Sequence, residues 1–509
     1  MSTSKQVSQD IESFQSDFPQ YDVISSSTTE VGENLITLAR SGVEKRLIIG
    51  AGKSGAFPQG FQGEKYNGTN GGFLICALNH TNATALRSLC SFTSPITLGN
   101  DSSFGFGDRL GNAGPAHLKA LMDSESIFKP IMAQQSIREL DRTGRTAEDV
   151  MDAATWAVFQ WGYKGGFGSD ADHLKTTEDI DRMARAGFTM FTIDPSEFVD
   201  NRSQSMNEAQ LNEAFHSLPW SKLNDDPDLF LRRYTEQSMQ FGENISFKPS
   251  KIDILRAAVK YGRVIIHAHE MFRYLRETYP DRDTEVELSI DETPYPTTPE
   301  EHLVIASELE RMEVDLVSLA PRFCGDFEKG IDFKGDLDLF SEEYVLHQAI
   351  ASKFGEYKLS IHSGSDKFSV YEAIGNLDVG NVHVKTAGTS YLEALRAVAI
   401  CDASLFRELM AFSLRRFDTD RKTYHISANV DRMKNPDDYT EKELPELLDD
   451  DNARQILHVT FGSVLAHQPG NNEQSFGDRI RKTLSENEEV YEDCLYRHFR
   501  KHIRPFEKV

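Results

Sequence analysis

The stretch that decides the fold is Tyr357–Tyr391, YKLSIHSGSDKFSVYEAIGNLDVGNVHVKTAGTSY. Two short runs in it, Tyr357–His362 and Asn381–Thr386, alternate polar and apolar residues with the period of a β-strand. Each run carries a histidine, His362 or His383, on its polar face, and a loop of small residues follows each run. Parallel barrels build their sites from polar side chains and loops at strand ends, so we interpret the runs as barrel strands beside a site. Two half-buried strands with ordinary polar loops are the alternative.

The chain before this stretch repeats the same pattern of a strand followed by a helix. A helix over Thr146–Trp161, for example, has Thr146 as its N-cap and Asp149 at the capping-box position. Strands that alternate with helices form parallel sheets, so the sequence predicts an α/β protein with a TIM-like (β/α)8 barrel. The predicted strands lie near residues 96, 132, 169, 191, 288, 318, 360 and 383.

The sequence outside the barrel pattern predicts three additions to it. Residues 1–92 have strand patterns and Gly-rich turns of their own, which indicate an N-terminal α+β extension. The barrel spans residues 93–400, with its first strand at Thr93–Leu98 and a glycine-rich loop at Phe104–Gly111. A helical insertion follows the fourth strand at about residues 205–280, and residues 401–509 form a helical C-terminal extension.

Composition and charge exclude several classes of protein. The 509 residues contain 55 Lys and Arg against 80 Asp and Glu, a formal net charge of −25. Such a field repels nucleic acid and anionic membranes. No run of about 18 apolar residues occurs, so no membrane span is expected. The five cysteines form no C-x-x-C pair, which fits a reducing cytoplasm. The oligomeric state is not indicated by the sequence.

Three histidines from three separate predicted strands lie at strand ends: His173, His362 and His383. Because the C-terminal ends of barrel strands meet at one mouth, we expect these imidazoles to converge there. Imidazoles with nearby carboxylates suit a divalent cation such as Zn²⁺, Mn²⁺, Co²⁺ or Ni²⁺ with an open position for substrate. Asp172, next to His173, is placed to act as a base beside the metal. Histidines that are only hydrogen-bonded barrel residues are the alternative.

Cationic side chains also gather on the predicted strand-end loops of this acidic protein. Arg322, Lys367 and Lys385 are the candidates for binding an anionic substrate, and Arg322 has the fork geometry that grips a carboxylate. In the alternative, each cation pairs with a neighbour such as Asp326 or Asp366.

Taken together, the strand-end motifs resemble those of the tagaturonate/fructuronate epimerase family of bacterial hexuronate catabolism. The resemblance covers about residues 93–400 and implies a metal-dependent enzyme that interconverts D-fructuronate and D-tagaturonate at C4. The motifs are FGFGDRLG at Phe104–Gly111, SDADHLK at Ser169–Lys175, ELSIDET at Glu287–Thr293, SLAPRFCGDFEKGID at Ser318–Asp332, KLSIHSGSDKF at Lys358–Phe368 and HVKTAGTSY at His383–Tyr391.

The chemistry that this resemblance implies needs an acid/base pair. C4 is β to the C2 ketone, so its C–H is not acidified by enolisation, and retro-aldol cleavage of C3–C4 followed by re-addition is the favoured route. A metal would stabilise the enediolate, and two carboxylates would exchange the C4 hydroxyl proton. Asp172 is the predicted acceptor and Glu287 its partner, with Asp291 and Glu292 as competing candidates.

Two other functions fit the same residues. A metal-dependent sugar-acid aldolase or ketose isomerase would use the same enediolate chemistry on the same barrel. A non-catalytic sugar-acid-binding protein is the further alternative, but it leaves the three histidines without a role.

Overall fold

The computed structural model describes residues 11–69, 71–236, 238–241, 245–468 and 474–507. The N-terminal part is an antiparallel sheet with the order β1-β2-β3-β5-β4, followed by one helix. Its core is formed by alternate side chains such as Ile36, Leu38 and Leu47, which are fully buried. The elements are β1 (Asp22–Val31), β2 (Asn34–Ser41), β3 (Glu44–Gly50), β4 (Gly63–Gly68), β5 (Gly71–Ala77) and α1 (His80–Leu89).

The next part of the chain alternates strands and helices. Helix α4 begins with the predicted capping box, in which Thr146 and Asp149 bond each other's backbone N–H groups. The elements are β6 (Ser103–Gly107), α2 (Gly114–Met122), β7 (Lys129–Ser136), α3 (Ile137–Thr143), α4 (Ala147–Trp161), β8 (Gly168–Leu174), α5 (Thr177–Ala186) and β9 (Met190–Ile193).

The predicted insertion follows β9 and is mainly helical. It contains α6 (Glu208–His216), α7 (Pro227–Thr235) and the long helix α8 (Lys251–Thr278). A small antiparallel hairpin, β10 (Met239–Phe241) and β11 (Ile245–Phe247), lies between α7 and α8. The hairpin was not predicted from the sequence, because strands this short leave too little alternation to recognise.

The alternation of strands and helices then resumes and completes the barrel. The elements are β12 (Glu285–Ser289), α9 (Pro299–Arg311), β13 (Ser318–Ala320), α10 (Leu337–Lys353), β14 (Lys358–Ile361), α11 (Phe368–Leu377), β15 (Val382–Thr386) and α12 (Thr389–Cys401). Within the described residues, eight parallel strands close in the order β6-β7-β8-β9-β12-β13-β14-β15, with β15 paired to β6. The predicted (β/α)8 fold is therefore confirmed.

The position predicted for the first barrel strand was wrong. Thr93–Leu98 contains no strand, and the strand is β6, which overlaps the glycine-rich segment that we expected to be a loop. A Cβ added at Gly105 would lie 2.2 Å from Gln134 Oε1, and one at Gly107 would lie 2.4 Å from the carbonyl oxygen of Thr386. The glycines are therefore required by close packing of the neighbouring strands β7 and β15 and do not mark a turn.

The C-terminal extension is helical and packs against the barrel. Its last helix contacts α2 and α12, so the end of the chain covers the barrel beside its first and last strands. Among the described residues, we find no helix with the length and apolarity needed to cross a membrane. The elements are α13 (Ala403–Asp420), α14 (Glu443–Glu446), α15 (Asp451–Val459), α16 (Phe461–Ala466), α17 (Phe476–Glu486) and α18 (Glu488–Ile503).

Candidate active site

A cavity of about 710 Å³ lies where the C-terminal ends of the barrel strands meet. This is the face at which TIM-barrel enzymes carry their sites. Of the residues predicted from the sequence, the cavity is lined by Asp172, His173, Arg322, His362 and Lys385. The structure therefore brings together five of the eight predicted residues at one mouth.

Asp172, His173 and His362 form a compact group in this cavity. One carboxylate oxygen and one nitrogen from each imidazole lie within 4.8 Å of one another. Consecutive residues of a strand normally point to opposite sides, yet Asp172 and His173 both reach the cavity. The reason is a register irregularity between β8 and β9 together with a left-handed backbone at His173, whose φ is 54°. Such a distortion re-aims a side chain, and it is typical of functional sites.

Carboxylates surround both imidazoles of this group. His362 Nε2 lies 2.7 Å from Glu287 Oε1, and its Nδ1 lies 3.3 Å from Asp291 Oδ1. His173 Nδ1 lies 3.4 Å from Asp194 Oδ2. The carboxylates fix the orientation of the rings, as they do for histidines that bind metals.

The same carboxylates make the group attractive to positive charge. Burial alone would lower the pKa of His173, but Asp172 and Asp194 outweigh it and raise that pKa to about 9. For His362, Asp291 and Glu287 outweigh burial and raise the pKa to about 10. A site that protonates two buried imidazoles has the excess negative charge that a bound divalent cation would balance.

Lys385 lies at the floor of the cavity among three carboxylates. Its Nζ is 2.7 Å from Asp170 Oδ2 and 2.8 Å from both Asp172 Oδ1 and Glu287 Oε1. It also donates to Thr192 Oγ1 at 2.7 Å. Burial opposes its charge, but the carboxylates raise the pKa of Lys385 well above its usual value. We predicted that Lys385 binds substrate, whereas its ammonium group faces the protein's own carboxylates.

Two of these carboxylates, Asp170 and Asp172, differ in their protonation because they differ in their neighbours. Burial raises the pKa of Asp170 to about 6, since the attraction of Lys385 is partly cancelled by repulsion from Asp172 and Glu287. Burial would also raise the pKa of Asp172, but Lys385 and the two imidazoles hold it below its usual value. Asp172 is therefore ionised at neutral pH and Asp170 is the carboxyl that protonates first.

Of the carboxylates considered as a partner for Asp172, two line the cavity and one does not. Glu287 is fully buried below His362, and within the described part of the chain it is not a lining residue. Asp291 and Glu292 do line the cavity. Glu292 is paired with Arg138 at 3.1 Å, whereas Asp291 lies against His362 and accepts from Ser289 Oγ at 2.7 Å.

His383 is not brought together with the other two histidines. It is level with Ser360 in the pairing of β15 with β14, which places it two residues below His362 in the barrel. Its Nδ1 lies 2.9 Å from Ser103 Oγ, the residue is fully buried, and burial lowers its pKa to about 3. The expectation that three histidines meet at one point is therefore not met, and Asp172 completes the group in place of His383.

Lys367 also lies away from the cavity. Its ammonium group donates to the carbonyl oxygens of Glu328 at 2.8 Å, Ser365 at 3.0 Å and Ile331. The residue is fully buried, and burial lowers its pKa to about 7. All three of its donors are used in joining the loops after β13 and β14, so the structure gives Lys367 a structural contact instead of access to substrate.

Arg322 is placed as the sequence suggested, at the cavity wall just after β13. It is half-buried, and one terminal nitrogen donates to the carbonyl oxygen of Thr293. A guanidinium has five N–H donors in a planar fork, so one protein contact leaves others for a ligand.

Several lining residues were missed in the sequence. Arg138 and Arg142 lie one turn apart on α3, where charged residues on a helix after a barrel strand gave a signal that was not used. Tyr424 and His458 come from the C-terminal extension, and Arg142 donates to the hydroxyl of Tyr424. Nothing in the local sequence of the extension indicates that it reaches the barrel mouth.

The residues of the Asp172, His173 and His362 group fit a divalent cation. One carboxylate and two imidazoles are ligands that Zn²⁺ and its transition-metal neighbours accept, and the open cavity leaves positions for substrate. A second group, Asp366, His498 and His502, is buried but does not fit. His502 Nε2 already accepts the Asp366 N–H at 3.0 Å, and Arg454 lies 2.7 Å from the Asp366 carboxylate, so the charge there is already balanced.

Comparison with known proteins assigns this chain to a family. A model of the tagaturonate epimerase family matches residues 24–506. A tagaturonate/fructuronate epimerase of Thermotoga maritima is 43% identical over 491 residues, which cover 95% of this chain and 96% of that protein. The crystal structure of fructuronate-tagaturonate epimerase from Cohnella laeviribosi with one glycerol has a TM-score of 0.89 and 37% identity, and covers 99% of both chains. These matches confirm the family resemblance and the enzyme class predicted from the motifs: the chain belongs to the tagaturonate epimerase family.

Proposed function

We propose that this protein interconverts D-fructuronate and D-tagaturonate by inverting C4 with the help of a divalent cation. The observation that carries the proposal is the group of Asp172, His173 and His362 at the floor of an open cavity. The family membership supports the substrate class, because the relatives named above carry both sugar acids in their names. A cytoplasmic location stays a prediction from the sequence.

The favoured route is retro-aldol cleavage and re-addition. The C4 hydroxyl loses its proton, C4 becomes an aldehyde carbon, and the electron pair of the broken C3–C4 bond passes to C3 in conjugation with the C2 carbonyl. The aldehyde group turns about the C4–C5 bond, and C3 attacks its other face. The C4 oxygen then regains a proton, so no external oxidant or reductant is required.

A bound divalent cation would supply Lewis-acid stabilisation of the negative charge that develops on the substrate oxygens. His173 and His362 are the residues that would hold it, beside the carboxylate of Asp172. Glu287 and Asp291 contact His362 on its two ring nitrogens, and we assign to Glu287 the orientation of that ring.

Asp172 and Asp291 are our candidates for exchanging the C4 hydroxyl proton. Both line the cavity, and both contact the histidine pair. Burial would raise the pKa of Asp291, but His362 and His173 hold it below its usual value, so both carboxylates are ionised and ready to accept a proton. After the aldehyde turns, its oxygen faces a different side of the cavity. The carboxylate that has taken the C4 hydroxyl proton passes it to the other carboxylate, which then donates it to the turned oxygen, so that one carboxylate accepts and the other donates.

The decisive experiment is incubation of the purified protein with D-fructuronate, followed by NMR. Appearance of tagaturonate supports the proposal. Accumulation of three-carbon fragments would instead indicate an aldolase, and an aldose product would indicate a ketose isomerase. Binding without turnover would indicate a sugar-acid-binding protein.

Removal of the cation is expected to abolish turnover reversibly. Treatment with a strong chelator should reduce kcat to background, and adding back Zn²⁺, Mn²⁺, Co²⁺ or Ni²⁺ should restore it, because the developing charge would otherwise lack its counter-charge. Metal analysis before and after treatment and the thermal midpoint provide readouts besides activity. Full activity in the chelator with no metal in the protein would contradict the metal requirement.

Arg322→Ala is expected to raise KM by about tenfold or more with little change in kcat, because a substrate grip is mostly uniform binding. Initial rates over a range of D-fructuronate concentrations measure both constants. Arg202→Ala is the matched control, since it removes an exposed arginine whose partner is Asp200 and which lies outside the cavity lining. An unchanged KM for Arg322→Ala would remove Arg322 from the binding site.

A further inference from the structure

The N-terminus of α12 faces the cavity without a cap. Gly388 stands at its N-cap position and lines the cavity with Ala387. In the described part of the chain no side chain caps this helix, and its first turn contains no acidic residue. The hydroxyls of Thr389 and Ser390 bond elsewhere, to Asp366 and to the carbonyl of Gly107. The first N–H groups of a helix lack intrahelical partners and attract anions, but such an end alone does not make a site.

Arg109 provides a second, independent observation. It is 3% exposed, lines the cavity, and stacks its guanidinium 3.6 Å from the ring centroid of Phe461. Its Nε donates to Glu139 at 2.8 Å, while its Nη1 has no hydrogen-bond partner within the described residues. A buried guanidinium nitrogen without a partner is costly, so its donor is expected to serve a ligand or an ordered water.

His458 reaches the same place from the C-terminal extension. It is 2% exposed, lines the cavity, and packs on Gly388 so closely that a Cβ there would lie 1.9 Å from the His458 ring. Its Nδ1 also lacks a hydrogen-bond partner among the residues described. Burial, assisted by the charges of Arg109 and Lys329, holds the pKa of His458 well below its usual value. The neutral ring therefore has one N–H to donate.

Lys329 completes the set beside the histidine pair. It lines the cavity from the loop after β13 and donates to the hydroxyl of Ser363, the residue that follows His362. Arg109, Lys329, His458 and the end of α12 are called here the α12 anion subsite. In barrels of this class, the loops after the last two strands and a nearby helix N-terminus often bind an anionic group.

We infer that the α12 anion subsite binds the C6 carboxylate of the sugar acid. The inference rests on the proposed function and deepens it, because it identifies the group by which a uronate is distinguished from a neutral ketose. The subsite adjoins His362 through Ser363, and in the substrate only two carbon–carbon bonds separate C4 from C6. A carboxylate held there fixes C5 and C6 while the C4 aldehyde turns, which prevents loss of the cleaved fragment.

This assignment leaves Arg322 to the hydroxyl groups of the substrate. Arg322 lies just after β13, seven residues before Lys329, and its side chain donates to the carbonyl of Thr293. The two roles are separable, because a hydroxyl contact is shared by uronates and neutral ketoses, whereas a carboxylate contact is not.

The test compares Lys329→Met and His458→Phe with Arg322→Ala, using D-fructuronate and the neutral D-fructose as substrates. Lys329→Met and His458→Phe are expected to raise KM for D-fructuronate about tenfold, the effect of losing a charged hydrogen bond, and to lower kcat/KM for D-fructose by a much smaller factor. Arg322→Ala is expected to lower kcat/KM for both substrates. The matched control is Lys334→Met, five residues along the same loop, whose ammonium bonds Glu328 and Ser427 outside the cavity.

The opposite pattern would overturn the inference. If Arg322→Ala alone removes the preference for the uronate, and Lys329→Met and His458→Phe keep it, the carboxylate binds at Arg322. Loss of kcat/KM for D-fructose in Lys329→Met and His458→Phe, equal to the loss for D-fructuronate, would also refute the carboxylate role.

Two further experiments distinguish binding of the substrate carboxylate from binding of another anion, and binding at the subsite from turnover. Inorganic phosphate shares the oxyanion chemistry, and competition with D-fructuronate that weakens in Lys329→Met supports one shared subsite. Phosphate that binds without raising KM for D-fructuronate would assign the subsite to a separate phosphate ligand. Calorimetric titration with D-glucuronate, a uronate that lacks the C2 ketone, reports on the subsite even if no epimerase activity is found. Loss of D-glucuronate binding in Lys329→Met supports the subsite independently of the reaction.

Discussion

His362→Ala is expected to lower kcat/KM for D-fructuronate by about three orders of magnitude or more while leaving the fold intact. The imidazole lies 2.7 Å from Glu287 through Nε2 and 3.3 Å from Asp291 through Nδ1. Its loss removes a proposed cation ligand and also the group that holds the pKa of Asp291 below its usual value. NMR turnover assays, metal content and circular dichroism together measure these effects.

The matched control for this variant is His216→Ala. His216 is exposed on α6, and among the described residues it bonds only its own helix, through Nδ1 and the carbonyl of Asn212 at 2.7 Å. Its removal should change neither turnover nor metal content. If His362→Ala instead kept more than a tenth of the activity of the unmodified protein, His362 would be excluded from the chemical step.

Lys385→Met is expected to destabilise the protein by about 3–5 kcal/mol and to abolish turnover, because it leaves buried carboxylates without their counter-charge. Asp170, Asp172 and Glu287 all lie within 2.8 Å of the Lys385 ammonium group. Methionine fills a similar volume, so the loss reports on charge and not on a cavity. Urea unfolding followed by circular dichroism measures the free energy of unfolding.

The deficit of Lys385→Met is expected to shrink as the pH falls from 8 towards 5.5. Burial already raises the pKa of Asp170 to about 6, above its value of 3.8 in an unfolded chain. Without Lys385 this pKa rises further, so at lower pH the folded variant binds protons that the unfolded chain does not. Protonation therefore favours folding in that range. A deficit that stays constant or grows over that range would contradict the counter-ion role.

Lys260→Met separates the loss of stability from the loss of activity. Lys260 is fully buried and pairs with one carboxylate, that of Glu301, at 2.8 Å. Its removal should also destabilise the protein, yet turnover measured well below the unfolding transition should persist. Equal loss of turnover in both variants would attribute the effect of Lys385→Met to stability alone.

The fold was predictable because the spacing of apolar residues along each segment distinguishes strands from helices. The exception is the first strand, where Gly105 and Gly107 look like turn residues. They are glycines because Gln134 and Thr386 approach them within about 2.4 Å of where a Cβ would be. That requirement comes from strands far away in the chain, so no local pattern could reveal it.

The location of the site could be predicted from the sequence, but the group of residues that could hold a cation was predicted only in part. Strand-end reasoning found Asp172, His173 and His362, but it treated Asp172 as a base beside the metal and not as a member of the group that could hold it. The left-handed backbone at His173 places both in the cavity. His383 was included because the sequence placed it at a strand end. In the structure it pairs with Ser360 of β14, two residues before His362, so it lies deeper in the barrel than His362. Backbone distortion and register are tertiary properties.

The C-terminal extension determines when the cavity is completed as the chain is synthesised. His458 and Tyr424 line the cavity, while Arg454 and His498 bond Asp366 in the loop after β14. A chain folds from its N-terminus as it is synthesised, so the barrel strands are complete before these residues leave the ribosome. At that stage the barrel has its proposed cation ligands but lacks one wall of its cavity. The cavity is complete only after the C-terminal extension has been made and α18 has docked on α2 and α12.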